Sequence, residues 1–372
     1  MLKSLSVPRG LRVIAFLGLL IISASLPLFA QHFTRTDLTV DLSGVSPSAA
    51  NLDAHLQNSW GLTRSATSAW WVADNHTGLS TLYDAAGAPQ SLVVSIPTLD
   101  GTGIAAPTGT AFNYTSGFEI APGKKAVFLF VTEDGTISGW NPGVQATAAV
   151  IAFPRPGGKP GNAVYKGCTL ATTAQGTFLY VSNFGEVRVD VFDSTFHRVN
   201  LGATAFRDPN VPKGFAPFNV QNVGGNLVVT FAKKQKGSDD EAHGAGFGFV
   251  AVFDLQGKLL MDLQQGSFLN APWGIAQAPS DFGVFSHRLL VGNQGDGTIN
   301  AFNLVTGEFE GKLLDENGAN LAIDGLWALN FGSDSLAGPA TELFFTAGPN
   351  DEADGLFGGI VPVAAEQRGS NE

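Results

Sequence analysis

One short apolar segment returns six times along the chain: "SWGLT" (59–63), "APTGTAF" (106–112), "YKGCTLA" (165–171), "APFNV" (216–220), "APWGIA" (271–276) and "GLWAL" (325–329). Each copy is followed by a second apolar run: "WWVAD" (70–74), "FLFVTE" (128–133), "FLYVSN" (178–183), "NLVVTF" (226–231), "LLVGN" (289–293) and "LFFTA" (343–347). A third run ends in an aromatic residue followed by Asp or Asn in five copies: Tyr83-Asp84, Trp140-Asn141, Phe192-Asp193, Phe253-Asp254 and Phe302-Asn303. Abundant Phe (28) and Gly (46) suit short strands joined by tight turns. A unit of four such strands is too small to bury its own faces, so copies must stack. The closed arrangement that does this is a β-propeller. The expected fold is therefore all-β: a six-bladed β-propeller of four-stranded blades.

The aromatic-Asx pair has a mechanical reading. The ring packs between neighbouring blades, and the Asx side chain bonds the backbone two residues on, starting the turn into the outer strand. The sixth unit lacks this pair and ends in "GGIVPV" (358–363), one strand short. A spare strand exists near the start, "FTRTDLTVDL" (33–42), which is expected to close the last blade from outside.

Before that strand lies a leader-like segment. Lys3, Arg9 and Arg12 precede the apolar run "VIAFLGLLIISASL" (13–26), which is short for a membrane span. The sequence thus divides into a signal peptide (1–30), one propeller domain (31–365) and a polar tail (366–372). Cleavage after Ala30 and export to the periplasm or the extracellular space are expected, with no transmembrane anchor. A single cysteine, Cys168, gives no internal disulfide, and "GCTLA" reads as a buried apolar setting for it.

The net charge is −11 and the pI about 4.9, with no basic patch, which argues against nucleic acid as a partner. There is no Gly-x-Ser-x-Gly elbow, no phosphate-binding loop with its lysine, and no His-x-x-x-His pair. No nucleophilic triad can be assembled, and the catalytic residues stay unassigned.

Polar residues do converge by topology. In a propeller the innermost strand of each blade lines a central tunnel, and the loop between second and third strands opens at one mouth of it. Asp74, Glu133, Asn183 and Asn293 close second strands and fall on that face. As oxygen donors they are a candidate set for a hard cation such as Ca²⁺, although Asp and Asn also end strands for purely local reasons. The last unit adds an insertion there, "PNDE", and Asn350, Asp351 and Glu352 join the candidate ligand-binding set. Asp354 belongs with Asp134 and Asp296 to Asp-Gly hairpin turns. A second insertion, "KKQKGSDDEAHGAGFG" (233–248), is charged and glycine-rich and reads as a mobile loop, with a lid over the mouth as the sharper alternative. Trp60, Trp273 and Trp327 occupy equivalent positions, which favours core packing. Strand alternation keeps Trp70 and Trp71 from sharing one face, so one of them is expected to be exposed or to lie in a seam between blades.

The motifs "PWGI", "GNQGDGTINAF", "IDGLWAL" and "TAGPNDEADGLFGG", in this order, resemble a family of uncharacterised exported bacterial proteins related to NHL-repeat propellers. The resemblance covers nearly the whole chain after the leader and implies six blades, without an activity. A more distant resemblance, to gluconolactonase-type propellers, implies Glu, Asn and Asp ligands around one end of the tunnel. The expected function is binding of a small molecule, a glycan or a protein at the tunnel mouth by a monomer. The alternative is a calcium-dependent lactone or ester hydrolase with Glu133 or Asp74 as base.

Overall fold

Four-stranded antiparallel sheets follow one another along the chain in the computed structural model, which describes residues 1, 31–154 and 161–364. Blade 1 runs Ser59–Thr63, Trp70–Asp74, Leu79–Tyr83 and Val94–Ser95 from the centre outward. Blade 2 begins with Pro107–Phe112, blade 3 with Tyr165–Thr173, blade 4 with Phe215–Val223, blade 5 with Pro272–Gln277 and blade 6 with Leu326–Phe331. Each of these innermost strands touches the next, and that of blade 6 touches that of blade 1, so the ring closes. The expected six-bladed β-propeller is what the chain forms.

Ring closure uses the N-terminal strand as the sequence suggested. Phe33–Val40 pairs antiparallel with Leu356–Pro362, from Phe33 opposite Pro362 to Val40 opposite Leu356. It supplies the outer strand that the sixth repeat lacks. Asn51–Leu52 adds a short parallel strand outside it. The leader and the C-terminal tail read from the sequence lie outside the described residues. Among the described residues no helix is long and apolar enough to cross a membrane.

The aromatic-Asx device works in all five copies. Oδ1 of Asp84, Asn141, Asp193, Asp254 and Asn303 accepts a hydrogen bond from the backbone N–H two residues on, at 2.8–2.9 Å. The rings before them pack back onto the preceding blade: Tyr83 on Phe357, Trp140 on Trp71, Phe192 on Phe153. Trp70 and Trp71 do alternate, but neither is exposed. Trp70 faces Phe344 of blade 6, and Trp71 stacks on Phe128 of blade 2 at 4.1 Å. A blade has a neighbour on both faces, so both sides of its middle strands are buried.

Cys168 lies on the innermost strand of blade 3 and is buried, and burial pushes its thiol up to about 12. Close packing of the inner strands also explains a glycine: a Cβ on Gly109 would stand 2.8 Å from the backbone N of Cys168.

Candidate functional site at the tunnel mouth

The innermost strands share a defect. In every blade the register between first and second strands slips near the start of the first strand: between Ser59 and Leu62, Tyr165 and Gly167, Pro217 and Asn219, Pro272 and Gly274, Leu326 and Leu329, and opposite Phe130–Thr132 in blade 2. A β-bulge re-aims a side chain. Here it affects Trp60, Thr108, Lys166, Phe218, Trp273 and Trp327, one residue per blade. Trp60 and Trp327 stack with ring centroids 3.4 Å apart, and Trp273 meets both edge-on at 6.1 and 5.8 Å. Phe218 touches Trp327 at 5.9 Å, and Lys166 Nζ sits 4.9 Å from the Trp60 ring. Contacts that span the ring in this way fill its axis. The three tryptophans are core, as repetition suggested, and the core they form is a plug that divides the tunnel.

Above the plug, charged and amide side chains meet. Lys166 is 1% exposed and forms an ion pair with Glu133. Burial pulls the Lys166 pKa down, but the carboxylates of Glu133, Glu241 and Asp240 outweigh it, so the ammonium ends above its ordinary value. Glu133 also accepts from Asn75 Nδ2 at 3.0 Å. Asn58, buried at the start of blade 1, accepts from Trp327 Nε1 at 3.0 Å and donates to Glu352 Oε2 at 2.8 Å. Gln294 of blade 5 donates to Glu352 Oε1 at 3.4 Å. His243 lies 3.6 Å from Glu241, and that carboxylate, against the opposing effect of burial, raises its pKa.

Glu352 reaches this space through unusual backbone. Asn350, Asp351 and Glu352 have φ of 58°, 53° and 66°, three consecutive residues in the left-handed region. Such a run costs about 1–2 kcal/mol per residue, and strain of this kind gathers at functional sites. The turn is held by Asn350 N–H to Asp324 Oδ2 at 2.8 Å and Asn350 Nδ2 to Asp354 Oδ2 at 2.5 Å. Burial, then Glu241, pushes the Glu352 carboxyl up; Asn58 and Lys166 pull the other way, and it settles at about 7. Asp354 is in the turn, as expected, but its glycine is needed for another reason. Gly355 does not have positive φ; a Cβ there would overlap the carbonyl oxygen of Leu56.

The candidate residues separate into three groups. Glu133 and Glu352 belong to the mouth cluster. Asp351 is exposed and Asn350 props the turn. Asp74, Asn183 and Asn293 are each tied within their own surroundings. Asp74 accepts from Thr81 N–H and Oγ1 at 3.0 and 2.8 Å, and burial raises its pKa well above the usual range. Asn183 bonds Asp190 and Glu186, and Asn293 bonds Asp296 and the Phe268 carbonyl. The four-residue cation set does not gather at one point, and among the described residues no group of three or more His, Cys, Asp or Glu side chains is arranged to hold a metal ion. The 233–248 segment is a folded hairpin rather than a bare loop. Gln235 N–H bonds Asp240 O and Ala242 N–H bonds Lys233 O, and the hairpin delivers Glu241, which is 6% exposed.

Sequence reasoning passed over Lys166, Asn75, Gln294 and Glu241. One signal was available for Lys166: it alone is charged at a position that is Trp, Phe or Thr in the other five copies.

No protein-family model matches the chain. Uncharacterized protein R648 of Acanthamoeba polyphaga mimivirus is 33% identical over 322 residues, covering 84% of this chain and 76% of that protein. Uncharacterized protein L690 of the same virus is 32% identical over 328 residues, covering 84% and 82%. Among solved structures, a protein of unknown function from Bacteroides thetaiotaomicron superposes with a TM-score of 0.53 at 9% identity, covering 89% of this chain and 76% of that one. A streptogramin B lyase superposes with a TM-score of 0.50 at 11% identity, covering 90% and 98%. A glucose dehydrogenase also gives 0.50, at 12% identity, covering 88% and 99%. These three share the fold. The exported bacterial character expected from the motifs is not carried by the curated relatives, which are viral. By its identity to R648 over most of both chains, this protein belongs to the same family as the mimivirus proteins R648 and L690.

Proposed function

We propose that the chain is a ligand-binding propeller that takes a small polar molecule at the tunnel mouth, above the aromatic plug. One observation carries this reading: all six blades send polar side chains to one space. Blade 1 contributes Asn58 and Asn75, blade 2 Glu133, blade 3 Lys166, blade 4 Glu241 and His243, blade 5 Gln294 and blade 6 Glu352. Turn chemistry alone has no need of contacts between blades at the axis, nor of three left-handed residues in succession. The mixture of carboxylates, amides and one ammonium suits a ligand that both donates and accepts hydrogen bonds. The basic and apolar N-terminus supports a working place outside the cytoplasm.

A thermal-shift screen of amino alcohols, hydroxy acids and small amides against the purified chain tests the reading. A ligand that raises the melting temperature, with the rise weakened in Glu352→Gln and Glu133→Gln, supports it. Stabilisation indifferent to both variants counts against it.

The second reading, hydrolysis, is favoured by Glu352 itself. A carboxyl that titrates at about 7 is matched to proton transfer at neutral pH. Activity on simple lactones or esters, with a pH limb near 7 that vanishes in Glu352→Gln, would establish it. Calcium separates its metal-dependent form: millimolar calcium should then raise both activity and melting temperature, and should change neither if the mouth binds without metal.

A further inference from the structure

The aromatic plug leaves a second compartment. Beyond it, toward the ends of the innermost strands, lies a cavity of about 210 Å³ to which every blade but the third contributes. Its lining contains no ionisable side chain, although the mouth on the other side of the plug is built from them. The polar groups are amides and one hydroxyl: Thr110, Asn219, Gln221, Asn222, Gln277 and Asn330, set among apolar residues. Trp273 also lines the cavity, as part of its apolar wall.

We propose that this end of the tunnel is a second binding site, for an uncharged polyhydroxylated molecule of one-ring size. The absence of ionisable lining favours a neutral ligand, since a buried charge there would find no counter-charge. Asn219, Asn222 and Asn330 each donate one bond to a backbone carbonyl and keep a second N–H, while the carboxamides of Gln221 and Gln277 present donors and acceptors together, as hydroxyls do. The volume sets the size. Drug-sized sites run to roughly 300–1,000 Å³, and this cavity is smaller. The apolar stretches between the amides fit the C–H faces of such a ring. The proposal does not rest on the reading of the mouth, because the plug separates the two.

The test uses saturation-transfer NMR on the full chain with D-glucose and myo-inositol as neutral probes and glucose 6-phosphate and glucosamine as charged ones. The neutral probes should bind at millimolar concentration or better and the charged ones at least about tenfold more weakly. Asn330→Leu and Gln277→Leu should each weaken the neutral probes, and Glu352→Gln should leave them unchanged. Gln277 is exposed at the rim, so its variant keeps the test valid if Asn330→Leu disturbs folding. The inference is overturned if neither neutral probe binds, if charged probes bind equally well, or if binding is lost in Glu352→Gln. That last result would move the ligand to the mouth and leave the first reading standing.

Discussion

Glu352→Gln tests whether the mouth holds a carboxyl against its own preference. The glutamate has an ordinary pKa of 4.5 and is pushed up to about 7 in the folded chain. Between those values the folded state keeps a proton that the unfolded state has lost, so stability falls as pH rises through the window. Below it the acid is protonated in both states and carries no penalty. Above pH 7 the full penalty is present: the interval from 4.5 to about 7, at 1.36 kcal/mol per pH unit, is about 3 kcal/mol. Glutamine keeps the shape and never ionises. It can still accept from Asn58 but must find a new arrangement with Gln294, which takes back part of the gain. The variant should therefore match the parent near pH 4.5 and exceed it by about 2–3 kcal/mol at pH 8. Urea unfolding of both proteins at several pH values measures this directly. A difference that does not vary with pH, or a parent whose relative stability rises from pH 4.5 to 7, would mean that folding does not raise the Glu352 pKa.

Lys166→Met removes the buried partner of Glu133 and should cost about 3 kcal/mol, most of it recovered when Glu133→Gln is added, as a double-mutant cycle in urea would measure. Removing residues 31–42 strips the closing strand from blade 6 and should lower the melting temperature by about 10 °C or more, or abolish the cooperative transition, by calorimetry. Cys168, buried with its thiol pushed up to about 12, should react with a thiol reagent only when the chain unfolds, on the timescale of denaturation.

The fold was legible because it is written six times. Repeated apolar runs and the aromatic-Asx pairs identified the blades, and the incomplete sixth copy pointed to Phe33–Val40 as its missing strand. The site was legible only in part. Glu133 and Glu352 could be placed on the mouth by strand direction, but so could Asp74, Asn183 and Asn293, which turn into their own blades to satisfy local hydrogen bonds. Strand direction says which end of a tunnel a residue occupies; it does not say whether the side chain points to the axis. That depends on the bulge at the start of each innermost strand and, for Glu352, on a left-handed turn that no residue in "NDE" demands. Trp70 and Trp71 show the same limit, because alternation assigns opposite faces without saying that both faces are covered.

If the six blades build one binding site at the mouth, a bound ligand should bridge side chains from several of them. A crystal structure of the chain with the tightest ligand from the thermal-shift screen tests it most directly. Ligand atoms are expected at about 3 Å, hydrogen-bond distance, from the carboxyl groups of both Glu352 and Glu133, above the Trp60–Trp327 stack. A ligand seated on the outer rim, with Glu352 still bonded to Asn58 and Glu133 to Lys166 and neither touching it, would show that the mouth cluster is not a binding site.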